Sequence, residues 1–498
     1  MSLISVTNLT FAYEGSYDNI FENVSFQLDT NWKLGFTGRN GRGKTTFLQL
    51  LLGKYPYSGR ISASVAFAYF PYDVADPSQN TMDVLESICP DLLYWQIAKE
   101  LAALEVDEEI LYRPFMTLSK GEQTKALLAV LFLKENSFLL IDEPTNHLDM
   151  HGRSAVSRYL RTKKGFLLVS HDRAFLDGCI DHILSINKTN IEVQKGNFSS
   201  WFLNKERQDQ FEQEQNDRLK KDIRRLEGAA RQSKTWADKV ESTKIGAIPD
   251  RDKYPGGGRA YIGEQSRRMQ QRRKNLERRQ QNAIAEKSQL LQNVEKAEEL
   301  KIWQLDHHAS ILAEAKDVSI AYGGQPVCAG VSLSVAKGDR IALRGKNGSG
   351  KSSLLKLLLG EDIPHTGTVK LAKGLKISYV PQDTAGLAGN LTDYARQWEI
   401  DETLFKTILR KLDFSRVQFE KDMAQLSAGQ KKKVLLARSL CEQAHLYIWD
   451  EPMNYIDVLS RIQLETLLQS YQPTILFVEH DKVFCEKIAT KTLFLSRN

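Results

Sequence analysis

Two kinds of apolar patterning alternate along this chain. In 1–195 and 312–498, short apolar runs lead into stretches with helical spacing: KLGFT (33–37) precedes TFLQLLL (46–52), and RIALR (340–344) precedes SLLKLLL (353–359). FLLID (138–142) and LYIWD (446–450) are brief, bounded and end on an acid, the form of buried parallel strands reaching a site at their C-terminal ends. The pattern predicts two α/β domains. Between them, 202–242 and 264–302 are rich in Glu, Gln, Lys and Arg, with Gly228 their sole glycine and no proline. That composition predicts two long exposed helices, each about 55 Å at a rise of about 1.5 Å per residue. Pro249, Pro255 and the glycines of IGAIPDRDKYPGGGRAYIG (245–263) interrupt them. The expected organisation is one domain over 1–195, a helical hairpin over 196–311 with a tip loop at about 243–265, and a second domain over 312–498. Helix connections usually take about 2 to 8 residues, so a tip this long has a task.

The two domains are copies. GRNGRGKTT (38–46) recurs as GKNGSGKSS (345–353), LSKGEQTK (118–125) as LSAGQKKK (426–433), IDEPTNHLD (141–149) as WDEPMNYID (449–457), and VSHD (169–172) as VEHD (478–481). Lys44/Lys351, Ser119/Ser427, Glu143/Glu451 and His171/His480 lie at offsets of 307, 308, 308 and 309, a register that chance does not produce.

Composition adds exclusions. With 42% hydrophobic and 26% charged residues, the 498-residue chain is neither disordered nor fibrous. No run approaches the ~18 apolar residues of a spanning helix, and MSLISVTNLT lacks the profile of a secretory leader. Five scattered cysteines without a CxxC pair suggest neither disulfides nor zinc, so a reducing cytoplasm is expected. The net charge is only +6, but 231–280 holds 14 basic against 6 acidic side chains, so the excess sits mid-chain. In RRMQQRRKNLERRQQ (267–281), Glu277 is the only acid. A solvated helix face would balance its charges better, so the stretch reads as a phosphate-binding surface for nucleic acid.

GRNGRGKT (38–45) and GKNGSGKS (345–352) match the phosphate-binding GxxxxGK[ST] pattern between a strand and a helix. Gly38, Gly41, Gly43 and Asn40, like Gly345, Gly348, Gly350 and Asn347, let backbone amides close on phosphates. Lys44 and Lys351 add a compact charge there, and Thr45, Thr46, Ser352 and Ser353 add hydroxyls. Asp142 and Asp450 end apolar runs, where an aspartate can orient Mg²⁺ with Thr45 or Ser352. An isolated Asp-Glu after a core strand would be an acidic turn. Here the following Glu143 and Glu451 can polarise an attacking water, and His171 and His480 can contact the γ-phosphate.

This series resembles the ATP-binding cassette ATPases over both halves. The resemblance implies tandem P-loop domains whose signature loops close on the nucleotide held by the other half. One site then joins Lys44, Thr45, Asp142, Glu143 and His171 to Ser427, Gly429 and Gln430. The other joins Lys351, Ser352, Asp450, Glu451 and His480 to Ser119, Gly121 and Glu122. Tyr13 and Tyr322 stand where the family places an adenine-stacking aromatic; plain strand packing is the alternative. The family's metal-contacting glutamine appears as Gln382 in YVPQD, but Tyr72 replaces it in YFPYD, so the sites need not be equivalent. Lys120 and Ala428 replace a usual glycine in the signature loops.

DEPTNHLD, two cassettes in one chain and the basic hairpin resemble the ABC-F class of cytoplasmic, ribosome-binding proteins. TNWKLGFTGRNGRGKTT, the GAI element and YIWDEPMNYIDV are similar to the Lsa-type resistance subgroup. The resemblance implies a monomer, with ATP and Mg²⁺ as cofactors, whose linker tip enters the bacterial 70S ribosome through the tRNA exit site. There it meets 23S rRNA and P-site tRNA and protects against lincosamides, streptogramin A and pleuromutilins. No DNA or membrane partner is expected. Ile248, Lys253, Tyr254 and Tyr261 are the candidate tip contacts. A housekeeping translation factor and the ATPase subunit of an exporter are the alternatives.

Overall fold

The computed structural model of the chain describes residues 2–13, 19–187, 190–246, 299–322 and 325–495, with Arg267, Gln271, Lys274, Asn275, Arg278 and Arg279. Residues 1–201 and 297–498 form one body and 202–296 another.

In the first half the strands are β1 (Leu3–Phe11), β2 (Phe21–Asp29), β3 (Lys33–Thr37), β4 (Ser58–Ser62), β5 (Ala66–Phe70), β6 (Ser137–Asp142), β7 (Phe166–Val169), β8 (His182–Asn187) and β9 (Asn190–Lys195). They build a mainly parallel sheet, β5-β6-β7-β3-β8-β9, and an antiparallel sheet, β2-β1-β4. In the second half they are β10 (Ile311–Tyr322), β11 (Gln325–Ala336), β12 (Arg340–Gly345), β13 (His365–Leu371), β14 (Ile377–Val380), β15 (Leu446–Asp450), β16 (Ile475–Val478) and β17 (Lys491–Leu495). Here β14-β15-β16-β12-β17 is parallel and β11-β10-β13 antiparallel.

The continuous apolar runs are the central strands. Every residue of β7, β15 and β16 is buried, as sheets covered on both faces require. Sheet register then does the functional placement. Phe36 in β3, Val169 in β7 and Asp142 in β6 lie abreast, as do Leu343 in β12, Val478 in β16 and Asp450 in β15. The phosphate loop, the acid pair and the histidine turn therefore leave one sheet at one level, at the carboxyl ends where α/β ligands bind. The helix Lys44–Leu51 is held beneath its loop by Phe47, fully buried against Phe21, Phe26 and Phe36. Truncating Phe47 to Ala would cost about 3–5 kcal/mol.

The helix expected over 202–242 runs Phe198–Gly246, 49 residues. Within the second predicted helix, the six described positions between 267 and 279 are helical and exposed. Its expected end at 302 is corrected: 299–303 is not helical, because Leu300 and Ile302 are buried in the core of the second half. Gln304 is then fixed by Nε2 donating to Thr474 Oγ1 at 2.7 Å. The tip candidates Ile248, Lys253, Tyr254 and Tyr261 lie outside the described residues. Among the described residues no helix is long and apolar enough to cross a membrane.

Candidate active sites

Both phosphate loops turn on left-handed glycines, and the helices they open are capped by Gly43 at φ 89° and Gly350 at φ 85°. A β-carbon on Gly43 would stand 2.4 Å from Ile20 Cγ2, so both conformation and space exclude a larger residue. Lys44 Nζ donates to the carbonyls of Gly38 (2.7 Å) and Arg39 (3.1 Å) and to Asn40 Oδ1 (3.2 Å). Lys351 Nζ does the same to Gly345 and Lys346, both at 2.9 Å. Each ammonium is folded onto the loop it would hold a phosphate against.

Thr45 Oγ1 donates to Asp142 Oδ2 at 2.9 Å, and the Tyr69 hydroxyl donates to the same oxygen at 3.3 Å. Asp450 is held likewise by Ser352, and burial raises both aspartates above the usual range. Glu143 and Glu451 follow with φ of 51° and 47°, left-handed values that a glutamate adopts only under constraint. Their amides are pinned to Val169 O at 2.9 Å and Val478 O at 3.0 Å. His171 Nε2 stands 3.3 Å from Glu143 Oε1, and His480 Nε2 3.5 Å from Glu451 Oε1. The same left-handed strain recurs at this residue in both copies.

The two glutamates differ. Burial, reinforced by the Asp142 charge, pushes Glu143 up to about 8. Burial acts on Glu451 too, but the His480 imidazole 3.5 Å away, the polar Gln382 side chain and the Lys432 charge outweigh it and hold Glu451 below the usual value. Gln382 lines its cavity, as expected. Tyr72 does not line the other; it is 38% exposed, with the Lys134 ammonium 6.0 Å from its ring.

Each cavity is closed by the opposite half. The first, 480 Å³, is lined by Tyr13, Asn40, Gly41, Gly43 to Thr46, Asp142, Glu143 and His171, and by Ser427, Ala428, Gly429 and Tyr455. Asn40 Nδ2 donates to Tyr455 O across the halves at 2.9 Å, and Arg39 pairs with Asp413 at 3.2 Å. The second, 380 Å³, joins Asn347, Gly348, Gly350 to Ser353, Gln382, Glu451 and His480 to Lys120, Asn146 and Leu148. Ser119, Gly121 and Glu122 do not line it, and Gln430 does not line the first. Glu122 and Gln430 instead cap their own helices, accepting from the amides of Ser119 (2.8 Å) and Ser427 (3.0 Å). Tyr13 and Tyr322 hydrogen-bond the loop hydroxyls of Thr46 (2.8 Å) and Ser353 (3.2 Å), and both rings are exposed. Asn146 and Tyr455 went unassigned as site residues in the sequence. The signal was present in EPTNHLD and EPMNYID, because the turn that presents each glutamate also carries the next residues toward the other half.

The ABC transporter family profile matches residues 21–146 and 328–454, both halves of the duplication. The chain is 27% identical over 511 residues to the ribosome protection protein VmlR of Bacillus subtilis, covering all of this chain and 87% of that one. It is 27% identical to the ATP-binding protein Uup of Caulobacter vibrioides, covering 96% of this chain and 74% of the relative. The fold matches the archaeal ribosome recycling factor aABCE1, solved with ribosomal stalk protein aP1. That match has a TM-score of 0.63 at 19% identity and covers 98% of this chain and 87% of that chain.

Proposed function

Because the chain belongs to the ABC transporter family of ATPases and matches ABC-F-type ATP-binding proteins along its whole length, we propose that it is a cytoplasmic, monomeric, ribosome-binding ATPase that protects bacterial ribosomes from antibiotics of the peptidyl-transferase centre. The observation that carries this reading is the full-length similarity to a ribosome protection protein. The basic composition of 231–280 supports an RNA partner, since cationic side chains on a helix bind phosphates with salt-sensitive affinity.

ATP enters each cavity with its phosphates on the loop amides and on Lys44 or Lys351. The facing half then closes the site, so both nucleotides report on one posture of the body. Glu143 and Glu451 accept a proton from the attacking water, and His171 and His480 orient it toward the γ-phosphate. Burial holds His171 well below its ordinary value, so it is neutral and fit to accept or donate a hydrogen bond. The donor set fits Mg²⁺: Thr45 with Asp142 and Ser352 with Asp450 offer hard oxygens, and Asp450 Oδ1 is buried with no hydrogen bond. Bound there, the ion neutralises phosphate charge.

In the cycle we propose, ATP-clamped protein docks through the tRNA exit site, and the linker tip, including Ile248, Lys253, Tyr254 and Tyr261, reaches the drug pocket near 23S rRNA and P-site tRNA. Hydrolysis releases it. Drug susceptibility of a sensitive host carrying the gene, beside a copy lacking 248–258, tests this. Resistance to lincosamides, streptogramin A or pleuromutilins that disappears with the tip is the expected result. Unchanged susceptibility with the intact gene points instead to a housekeeping translation factor.

A further inference from the structure

The halves are copies, so each is a control for the other. Behind the second site lies Lys432, 1% exposed. Its ammonium donates to Pro381 O at 2.8 Å and Asp450 O at 3.0 Å, with Gln382 O at 3.5 Å. β14 and β15 are paired up to Val380 and Trp449, so these carbonyls belong to the residues that leave the ladder. Lys432 therefore ties together the two strand ends from which Gln382 and Asp450 project. Its charge is balanced first by Asp450 and then by Glu479, 2% exposed, whose Oε2 accepts the Met453 amide at 3.0 Å and whose Oε1 accepts the His480 amide at 2.7 Å. A buried ammonium with its donors on carbonyls and a buried acid nearby is costly to assemble, which argues that it has a purpose.

The first half lacks all of it. Thr124 stands at the position of Lys432 and Ser170 at that of Glu479, both buried and neutral. Ser170 Oγ lies 3.3 Å from Thr145 Oγ1, and no long side chain reaches the strand ends from either residue. Tyr72 stands where the second half has Gln382, and it is turned toward Lys134. The three positions change together between the copies. A threonine hydroxyl is too short to bridge the two strand ends, and a tyrosine has no amide such as the one Gln382 brings to the cavity it shares with Glu451.

We propose that Lys432 and Glu479 are positioning residues, forming a buried charged brace present only in the second half, which holds Gln382 against Glu451 and presets that site for hydrolysis. The proposal rests on Glu451 acting on the attacking water. Neither residue of the brace touches the nucleotide cavity; both act through the strand ends and the turn that carries His480.

The test uses the full chain with Glu143→Gln, so that turnover reports the second site. Lys432→Thr should lower kcat about 10- to 100-fold, the scale of a misplacement of about 1 Å, with KM for ATP within about twofold. Because that variant leaves Glu479 unbalanced, Lys432→Thr/Glu479→Ser, which installs the pair of the first half, is measured beside it and should show the same loss of kcat while melting near the parent. Gln382→Ala should lower kcat similarly, and adding Lys432→Thr to it should lower kcat no further. Parent-level kcat in the Lys432→Thr/Glu479→Ser protein, or losses that multiply in the Gln382→Ala background, overturn the brace. Turnover that survives Glu143→Gln/Glu451→Gln rejects the underlying role of Glu451, and leaves an identifiably different failure.

Discussion

Gly429 sits where the second half meets the nucleotide of the first, one residue into the helix Ala428–Cys441. A β-carbon there would lie 2.4 Å from Tyr455 O and 3.3 Å from Asn40 Nδ2. Ordinary contact begins near 3.4 Å, so Gly429→Ala requires the carbonyl to retreat by about 1 Å. Tyr455 has little freedom to comply, since it already holds φ at 62°. The same carbonyl accepts the Asn40 bond at 2.9 Å, and because the β-carbon, the oxygen and Asn40 Nδ2 form a triangle, a retreat of that size straight from the β-carbon stretches the bond only to about 3.3 Å, which weakens it without breaking it. The larger effect is on geometry, because a displacement of about 1 Å at a reacting centre costs on the order of 100-fold in rate. With Glu451 changed to Gln so that only the first site turns over, Gly429→Ala should lower kcat by about two orders of magnitude. Nucleotide affinity of the phosphate loop, read by fluorescent ATP titration, should change by less than about threefold. Parent-level kcat in that protein would refute the reasoning that the two halves share the site.

Other outcomes follow from the same contacts. Arg173 of the first half and Glu465 of the second form a buried pair across the halves, with Lys487 at 3.2 Å from Glu465. Glu465→Ala strands the guanidinium at a cost of about 3–5 kcal/mol, and Arg173→Ala in addition should recover part of it in denaturation measurements. In the Glu451→Gln protein, turnover should climb steeply between pH 6 and pH 8: Glu143, pushed up to about 8, is protonated below that value and must be ionised to accept a proton. Ionisation rises by about fiftyfold over that interval, and a flat profile contradicts the assignment. The Glu143→Gln protein should show no such rise, since Glu451 is held below the usual carboxylate value and is already ionised. Tyr72→Gln should raise first-site turnover severalfold, and a fall would show that the glutamine is not what that site lacks.

The chemistry was legible wherever it is carried by local spacing. The phosphate loops, acid pairs and histidines were recognisable from residue type and offset, and the sheets align them because apolar strands of fixed register must end together. Contacts set by the meeting of the halves were legible only through the family resemblance, as for Ser427 and Gly429; Asn146 and Tyr455 are turn residues whose role depends on what faces them. Glu122 and Gln430 illustrate the converse, since the capping-box pattern that places them at a helix start also occupies their side chains. Leu300 and Ile302 looked like the end of a polar helix because its periodicity runs straight into a segment whose apolar residues belong to another core. Lys432 lies within the run KKK (431–433), where residue type alone does not distinguish a buried lysine from its neighbours; the structure shows it buried.

The central claim is that nucleotide clamped between the halves commits the protein to the ribosome. Purified Glu143→Gln/Glu451→Gln protein, mixed with bacterial 70S ribosomes and centrifuged through a sucrose cushion, measures it directly. The account predicts that the protein pellets with ribosomes in ATP and stays in the supernatant in ADP. Protein that remains in the supernatant in both would contradict it.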